Sequence, residues 1–338
     1  VLVAAALFAA WAGRPVVGDG RAVALGVEAT DGAGALSDRL AAAGVVSHPR
    51  LFTLLLLVAR PLVAPEPGAH LLTNDLTPAE VLRRLARLTS RARAKVVIPE
   101  GFNRFQIADR LERLRICGAD AFARAAAEPA VLARAGIEGP TAEGFLFPAT
   151  YDLFADTPPD AAVVAFAAQT KKRLVTLQTE QNAAFTALAE KYGWQLREVL
   201  TLASIVEKEA VRPEEQPIIA SVFYNRLDSP DFKPARSLQS DPTAAYGCLV
   251  APALPSCAGS GEHITPAMLR DFANPYNTYR HPGLTPGPIS NPGLGAIRAV
   301  LAPATTDFLF FVAAGDGRHT FSRSLEEHDL AMKKPKSR

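Results

Sequence analysis

The segment Leu196 to Ala210 constrains this fold more than any other, because as a helix it is apolar around most of its circumference. Such a helix cannot lie on a surface; other elements have to enclose it. The chain has the material, since 338 residues suit two or three compact units. Its 27 prolines imply many fixed turns, so the expected fold is mixed and loop-rich. With 36 basic against 34 acidic residues the net charge is +2, too weak a field to recruit nucleic acid. No nucleic-acid partner is expected.

The amino-terminal run from Val1 to Gly13 is apolar up to the first charge, Arg14, and lacks an initiating Met. A bilayer span needs about 20 apolar residues, so the run reads as the truncated outer end of a transmembrane anchor or as a signal-peptide core, with an ordinary buried helix as the third reading. The anchor, over 1–17, is favoured because no small-x-small cleavage site is followed by a polar start. A Gly-, Ala- and Asp-rich linker is expected over 18–35, then a helix-like pattern through Leu36, Leu40 and Val45. The apolar run Leu51 to Val58 is about two turns long, far short of a bilayer, and should pack in a soluble core. Thr77 caps a helix with Pro78 at its first position and apolar residues at 81, 82, 85 and 88. A strand from Lys95 to Ile98 leads into a helix around Phe105 to Leu114, and strand-helix units this small suit a binding module.

Residues Thr141 to Tyr151 are aromatic and apolar but interrupted by Gly and Pro, as in a packed loop, and Ala161 to Tyr192 is helical. From Pro230 to Pro303 the composition turns to Pro, Gly, Asn and Tyr; Phe308 to Val312 and Thr320 to Ser322 then read as a hairpin around Gly315-Asp-Gly. Cys117, Cys248 and Cys257 lack C-x-x-C spacing and nearby paired histidines, so no metal site is expected. Cys248 and Cys257 suit either a small disulfide loop in an oxidising compartment or two unpaired thiols.

Two carboxylates, Glu207 and Glu209, stand in the apolar helix, off the polar side formed by Arg197, Thr201, Ser204 and Lys208. A carboxyl in apolar surroundings has a raised pKa and stays protonated near neutrality, as a general acid must. A structural Glu paired to an Arg or capping a loop fits the same pattern, and pattern alone admits both. Residues two apart on a helix point about 160 degrees away from each other, so the two carboxylates cannot share one cleft as a glycosidase pair would.

This helix, Leu202-Ala-Ser-Ile-Val-Glu-Lys-Glu, resembles that of the endolytic murein transglycosylases, the MltG (YceG-like) family. Later blocks are similar too: Ala220-Ser-Val-Phe-Tyr-Asn-Arg-Leu, Leu238-Gln-Ser-Asp-Pro-Thr-Ala-Ala-Tyr-Gly, the run from Tyr276 to Gly293, and Phe308 to Ser322 with Glu327-His. The resemblance spans about Leu36 to His328, strongest after Glu143 and weakest before Thr77. It implies an α+β fold: a small LysM-like peptidoglycan-binding module over 36–137, a mainly helical lytic-transglycosylase-like catalytic domain with a short β hairpin over 138–330, and a tail over 331–338. It also implies a single-pass protein of the bacterial inner membrane with its catalytic domain periplasmic or extracytoplasmic. The expected partners are peptidoglycan glycan strands, the membrane through the anchor, and cell-wall synthesis proteins.

In this family the resemblance selects the second Glu of the Glu-Lys-Glu triplet, Glu209, followed by the small Ala210, as the catalytic residue, and leaves Glu207 as structural support. Such an enzyme protonates the glycosidic oxygen between N-acetylmuramic acid and N-acetylglucosamine. It then removes the proton from the muramoyl C6 hydroxyl, closing a 1,6-anhydro ring and terminating strand elongation. One acid suffices, with no water, cofactor or metal, because the intramolecular hydroxyl is present at high effective concentration. Sugars are gripped by amides, hydroxyls and aromatic faces, which makes Asn225, Gln239, Ser240, Asp241, Thr243, Tyr246, Asn277, Thr278 and Tyr279 candidate substrate contacts. Each also suits a turn or cap. His281 and His319 read as structural or solvated.

Two blocks depart from the family pattern: Thr285 stands where Pro is usual, and Thr243-Ala-Ala-Tyr has Ala where a branched apolar residue is usual. The insert Cys248 to Gly261 lies beside the expected cleft. A non-catalytic peptidoglycan-binding scaffold is the alternative function, and the acid retained at 209 discriminates against it. An aminodeoxychorismate lyase, a label attached to members of the family, would need pyridoxal phosphate, and no Gly-rich phosphate loop precedes a suitable helix.

Overall fold

A computed structural model of the chain describes residues 8–16, 22–86, 93–155, 157–258 and 263–333. Parts of five expected features lie outside the described residues: 1–7 and 17 of the anchor, 18–21 of the linker, position 88 of the helix that Thr77 caps, 259–261 of the insert and 334–338 of the tail. No helix among the described residues is long and apolar enough to cross a membrane. The chain divides into two compact units, one of Val1–Val96, Leu111–Gly118 and Tyr151–Pro158, the other of Val97–Arg110, Ala119–Thr150 and Pro159–Arg338.

In the first unit, strand β1 (Ala22–Val27) precedes helices α1 (Ala33–Ala42) and α2 (Pro49–Ala59), strand β2 (Gly68–Thr73) and helix α3 (Pro78–Leu85). β1 and β2 are antiparallel, in register from Ala22 opposite Thr73 to Val27 opposite Gly68. Residues 22–27 belong to the expected linker, yet Val23, Leu25 and Val27 alternate with small residues and put one apolar face toward the core. The high Gly and Ala content hid that alternation. Leu25, Leu36, Leu40, Phe52, Leu56, Leu72, Val81 and Leu85 belong to one buried cluster. The run Leu51 to Val58 does not bury as a whole. Phe52 and Leu56, one turn apart on α2, face the core, while Leu54, Leu57 and Val58 stay exposed. The α3 start is a reciprocal capping box, Glu80 N–H to Thr77 Oγ1 at 3.1 Å and Thr77 N–H to Glu80 Oε2 at 2.9 Å. Strand β3 (Arg93–Val97), ahead of helix α4 (Arg104–Arg113), pairs with β4 (Thr150–Phe154).

The second unit is mainly helical. Helices α5 (Ala119–Ala125) and α6 (Pro129–Ala135) pack on α7 (Pro159–Glu180), which breaks at Gln181 before α8 (Asn182–Tyr192). The segment 142–148 is buried throughout, a packed loop whose Gly144 has φ +85° and lies against the Pro288 ring. Next come α9 (Leu196–Glu209), α10 (Gln216–Asp228), α11 (Asp241–Val250), α12 (Pro266–Arg270) and α13 (Leu294–Leu301). α9 buries every residue from Val199 to Val206 and packs against α10, α11 and α13. Strands β5 (Phe310–Ala313) and β6 (His319–Ser322) form an antiparallel hairpin from Phe310 opposite Ser322 to Ala313 opposite His319, ahead of α14 (Leu325–Lys333). Gly315 and Gly317, with φ +105° and +80°, supply its turn. The architecture is α+β with small two-stranded sheets. Cys248 and Cys257 are joined in a disulfide.

Candidate active site

α9 ends at Glu209, because Ala210 turns to extended backbone (φ −81°, ψ 111°) and Pro213 follows. Both carboxylates therefore occupy the last turn, at the negative end of the helix, where ionisation is disfavoured. They face different elements. Glu207 accepts the Gly293 N–H at 3.1 Å, whereas Glu209 accepts the Ser240 hydroxyl at 2.6 Å. Burial pushes the Glu207 pKa up, with the nearby Glu100 charge adding to it and the Gly293 bond opposing. Glu209 is only partly exposed; burial first, then the charge of Asp241, raises its pKa, against the Ser240 bond, the positive charge of Arg226 and the neighbouring His319.

Ser240, the residue before α11, is held from behind by hydroxyls. Thr278 Oγ1 accepts its N–H at 3.0 Å, Thr243 donates to its carbonyl at 2.5 Å, and the two threonine hydroxyls lie 2.9 Å apart. Gln239 beside it takes φ +50° and donates its N–H to the Thr278 carbonyl at 3.2 Å. Asp241 accepts the Tyr279 hydroxyl at 2.6 Å. Ser240, Asp241 and Tyr279 thus collect around Glu209 with the buried Thr243 and Thr278 behind them, whereas the Gln239 amide donates to the Lys233 carbonyl at 3.4 Å.

Three other candidates are committed elsewhere. Asn225 donates to the carbonyls of Thr306 and Phe308, both at 2.9 Å, and Asn277 to those of Met268 and Asp271, both at 2.9 Å. The Tyr246 hydroxyl donates to Glu143 at 2.8 Å. His281 bonds the Phe272 carbonyl at 3.0 Å, and His319 pairs through Nδ1 with Glu215 at 2.7 Å.

Some residues that shape the site were not singled out in the sequence, although Arg226 and Asn291 lie within the blocks that resemble the family. Arg226 is a buried cation surrounded by Phe223, Phe232, Phe310 and Phe311, and burial lowers its pKa only to about 10, so it stays charged at neutral pH. Its Nε donates to the Leu309 carbonyl at 2.7 Å and its Nη1 to that of Leu238, two residues before Ser240. Glu143 is fully enclosed: both oxygens accept the Arg104 N–H at 3.0 Å, and Tyr246 and Asn291 donate to it at 2.8 Å each. Burial pushes its pKa up to about 7. Asn291 belongs to the segment Thr285 to Gly293, which lies along α9. There Ile289 N–H donates to Ser204 Oγ at 2.9 Å and Ser290 Oγ to the Ser204 carbonyl at 3.2 Å. The polar side of α9 seen in the sequence is covered by protein at Thr201 and Ser204, both buried. Among the described residues no group of three His, Cys, Asp or Glu is arranged to hold a metal ion.

A single carboxyl kept toward its acid form, with one oxygen bonded and hydroxyls around it, can deliver and recover one proton. The YceG-like family matches residues 25–334. The chain is 36% identical over 195 residues to an endolytic murein transglycosylase of Bacillus subtilis (strain 168), covering 57% of this chain and 47% of that protein. It is 29% identical over 263 residues to one of Streptococcus pneumoniae serotype 2 (strain D39 / NCTC 7466), covering 70% of this chain and 43% of that protein. The chain thus spans less than half the length of these relatives. A crystal structure of a yceG-like protein from Listeria monocytogenes is similar over 92% of this chain and 99% of that one, with TM-score 0.57 and 27% identity.

Proposed function

This chain belongs to the YceG-like family, and we propose that it is an endolytic lytic transglycosylase that cuts peptidoglycan glycan strands, with Glu209 as its one acid and base. The observation that carries this reading is the Glu209 carboxyl, biased toward its protonated form by burial and by Asp241, and oriented by Ser240. Ser240 donates to Oε1, which leaves Oε2 to carry the transferable proton. That proton goes to the glycosidic oxygen as the bond from the muramoyl C1 breaks. The resulting carboxylate, stabilised by the Ser240 hydroxyl and the Arg226 charge, takes the proton of the muramoyl C6 hydroxyl as O6 bonds to C1. Glu209 returns to its acid form, no water is consumed, and the product ends in 1,6-anhydro-N-acetylmuramic acid. Gln239, Asp241 and Tyr279 contact the strand in this reading, and Glu207 anchors the Gly293 backbone.

Residues 36–137 serve as a LysM-like peptidoglycan-binding module and 138–330 as the catalytic domain. The apolar amino terminus tethers both at the inner membrane, on its extracytoplasmic side, where cell-wall synthesis proteins are the partners and strand termination the outcome. The sequence motifs and the names of the relatives support this placement.

Glu209→Gln keeps shape and hydrogen bonding but removes the transferable proton, so turnover of purified glycan strands should fall at least about a hundredfold in a folded protein. Mass spectrometry should find anhydro ends with the unaltered chain. Reducing ends would indicate hydrolysis, and anhydro product from Glu209→Gln at an undiminished rate would sink the assignment.

A further inference from the structure

Helix α8 keeps some exposure along its whole length, and a cleft of about 350 Å³ opens beside it. Gln178 at the end of α7, Asn182, Phe185 and Thr186 on α8, and Trp194 and Gln195 in the turn into α9 line this cleft, and none of the residues lining it is charged. The Trp194 ring is partly exposed and firmly backed. It stacks on Tyr192 with centroids 4.7 Å apart and planes at 25°, and Tyr192 stacks on Tyr224 at 5.9 Å and 23°. Asp228 fixes the Tyr192 hydroxyl at 2.8 Å. Trp194 also lies 5.9 Å from Tyr224, so the three rings form a cluster that backs the indole before any ligand arrives.

We propose that this cleft is a second glycan-holding site, taking neutral N-acetylated amino sugars of a strand whose cut lies at Glu209; the inference rests on the glycan-strand reading above. The chemistry selects the ligand. A sugar ring has an apolar C–H face that lies on an aromatic ring, and its rim of hydroxyls and acetamido group pairs with amides such as those of Gln178 and Asn182. A cleft without charge offers nothing to an ionic ligand, and its exposed amides are poor company for a purely apolar one. A platform already ordered by stacking loses little freedom on binding.

Gln195 and Leu196 start α9 and Glu209 ends it, so at about 1.5 Å per residue the cleft and the acid lie roughly 20 Å apart along the helix. A single disaccharide cannot occupy both. A strand of several sugars can, since its chemistry repeats, and the two contacts on one ligand then act together as linked sites. The cleft would thus favour long strands over short fragments.

The chain has two tryptophans, Trp11 and Trp194, so the full chain carrying Trp11→Phe reports on the cleft through one indole. Titration with an N-acetylglucosamine tetrasaccharide should give a saturable change in its emission. Asn182→Ala, an exposed change, should weaken that binding at least threefold, and Glu209→Gln should leave it unaltered. An emission that never changes, or binding indifferent to Asn182→Ala, would overturn the inference. If the unaltered chain cuts strands while the indole stays silent, only the second site is lost. If the indole responds while no strand is cut, the site stands and the catalytic reading falls.

Discussion

Replacing Glu143 with Gln isolates the energetic effect of burying one carboxyl. In the protein both Glu143 oxygens accept the Arg104 N–H, Asn291 donates to Oε1 and Tyr246 to Oε2. A Gln oxygen at the Oε1 position keeps the first two partners, and its amide donates to a Tyr246 hydroxyl that turns to accept, so Gln imitates the protonated acid. Burial raises the folded pKa of Glu143 to about 7 from an ordinary 4.5. Because the folded value lies above the unfolded one, the stability this group contributes is fully present below pH 4.5 and is lost as pH rises through about 7. At about 1.36 kcal/mol for each tenfold change in proton affinity, the loss between pH 5 and pH 8 is on the order of 2–3 kcal/mol. Urea unfolding of both proteins across that range measures it, and comparing the two slopes cancels the groups they share. The Glu143→Gln slope should be shallower by about that amount. Equal slopes would show that Glu143 is ionised as readily in the folded chain as in the unfolded one, and the reasoning from burial would fail.

Ser240→Ala removes the hydroxyl that lowers the Glu209 pKa, so the alkaline limb of the pH profile of kcat/KM should move upward; losing a bond to a charged group, about 1.5–3 kcal/mol, should reduce turnover roughly ten- to a hundredfold. Gly144→Ala would place a Cβ 2.5 Å from Pro288 Cγ at φ +85°, and denaturant titration should register a loss of about 2–5 kcal/mol from left-handed backbone and overpacking combined. Reducing the Cys248–Cys257 bridge, whose partners are 9 residues apart, should lower stability by about 2–3 kcal/mol through restored loop entropy, visible as a lower melting temperature in dithiothreitol.

Local rules made much of the fold legible. Thr77 and Pro78 mark the α3 start because a cap needs only neighbours within one turn, and Gly315 and Gly317 mark the hairpin because few other residues tolerate their backbone angles. The divergence of Glu207 and Glu209 follows from helical geometry, and the structure gives them separate partners. Local rules failed where the alternation was masked, as in β1, and where an all-apolar run hid which stripe turns inward, as in α2.

The sequence by itself determined that α9 must be enclosed and that its two carboxylates point apart, since both follow from side-chain type and a fixed helical repeat. Only the tertiary structure decided what meets them. Ser240 reaches Glu209 across 31 positions of chain, Asn291 reaches Glu143 across 148, and Ile289 covers Ser204 across 85. Such pairs depend on how separate elements pack against one another, and close packing is a property of shapes in space that no periodicity along the chain encodes.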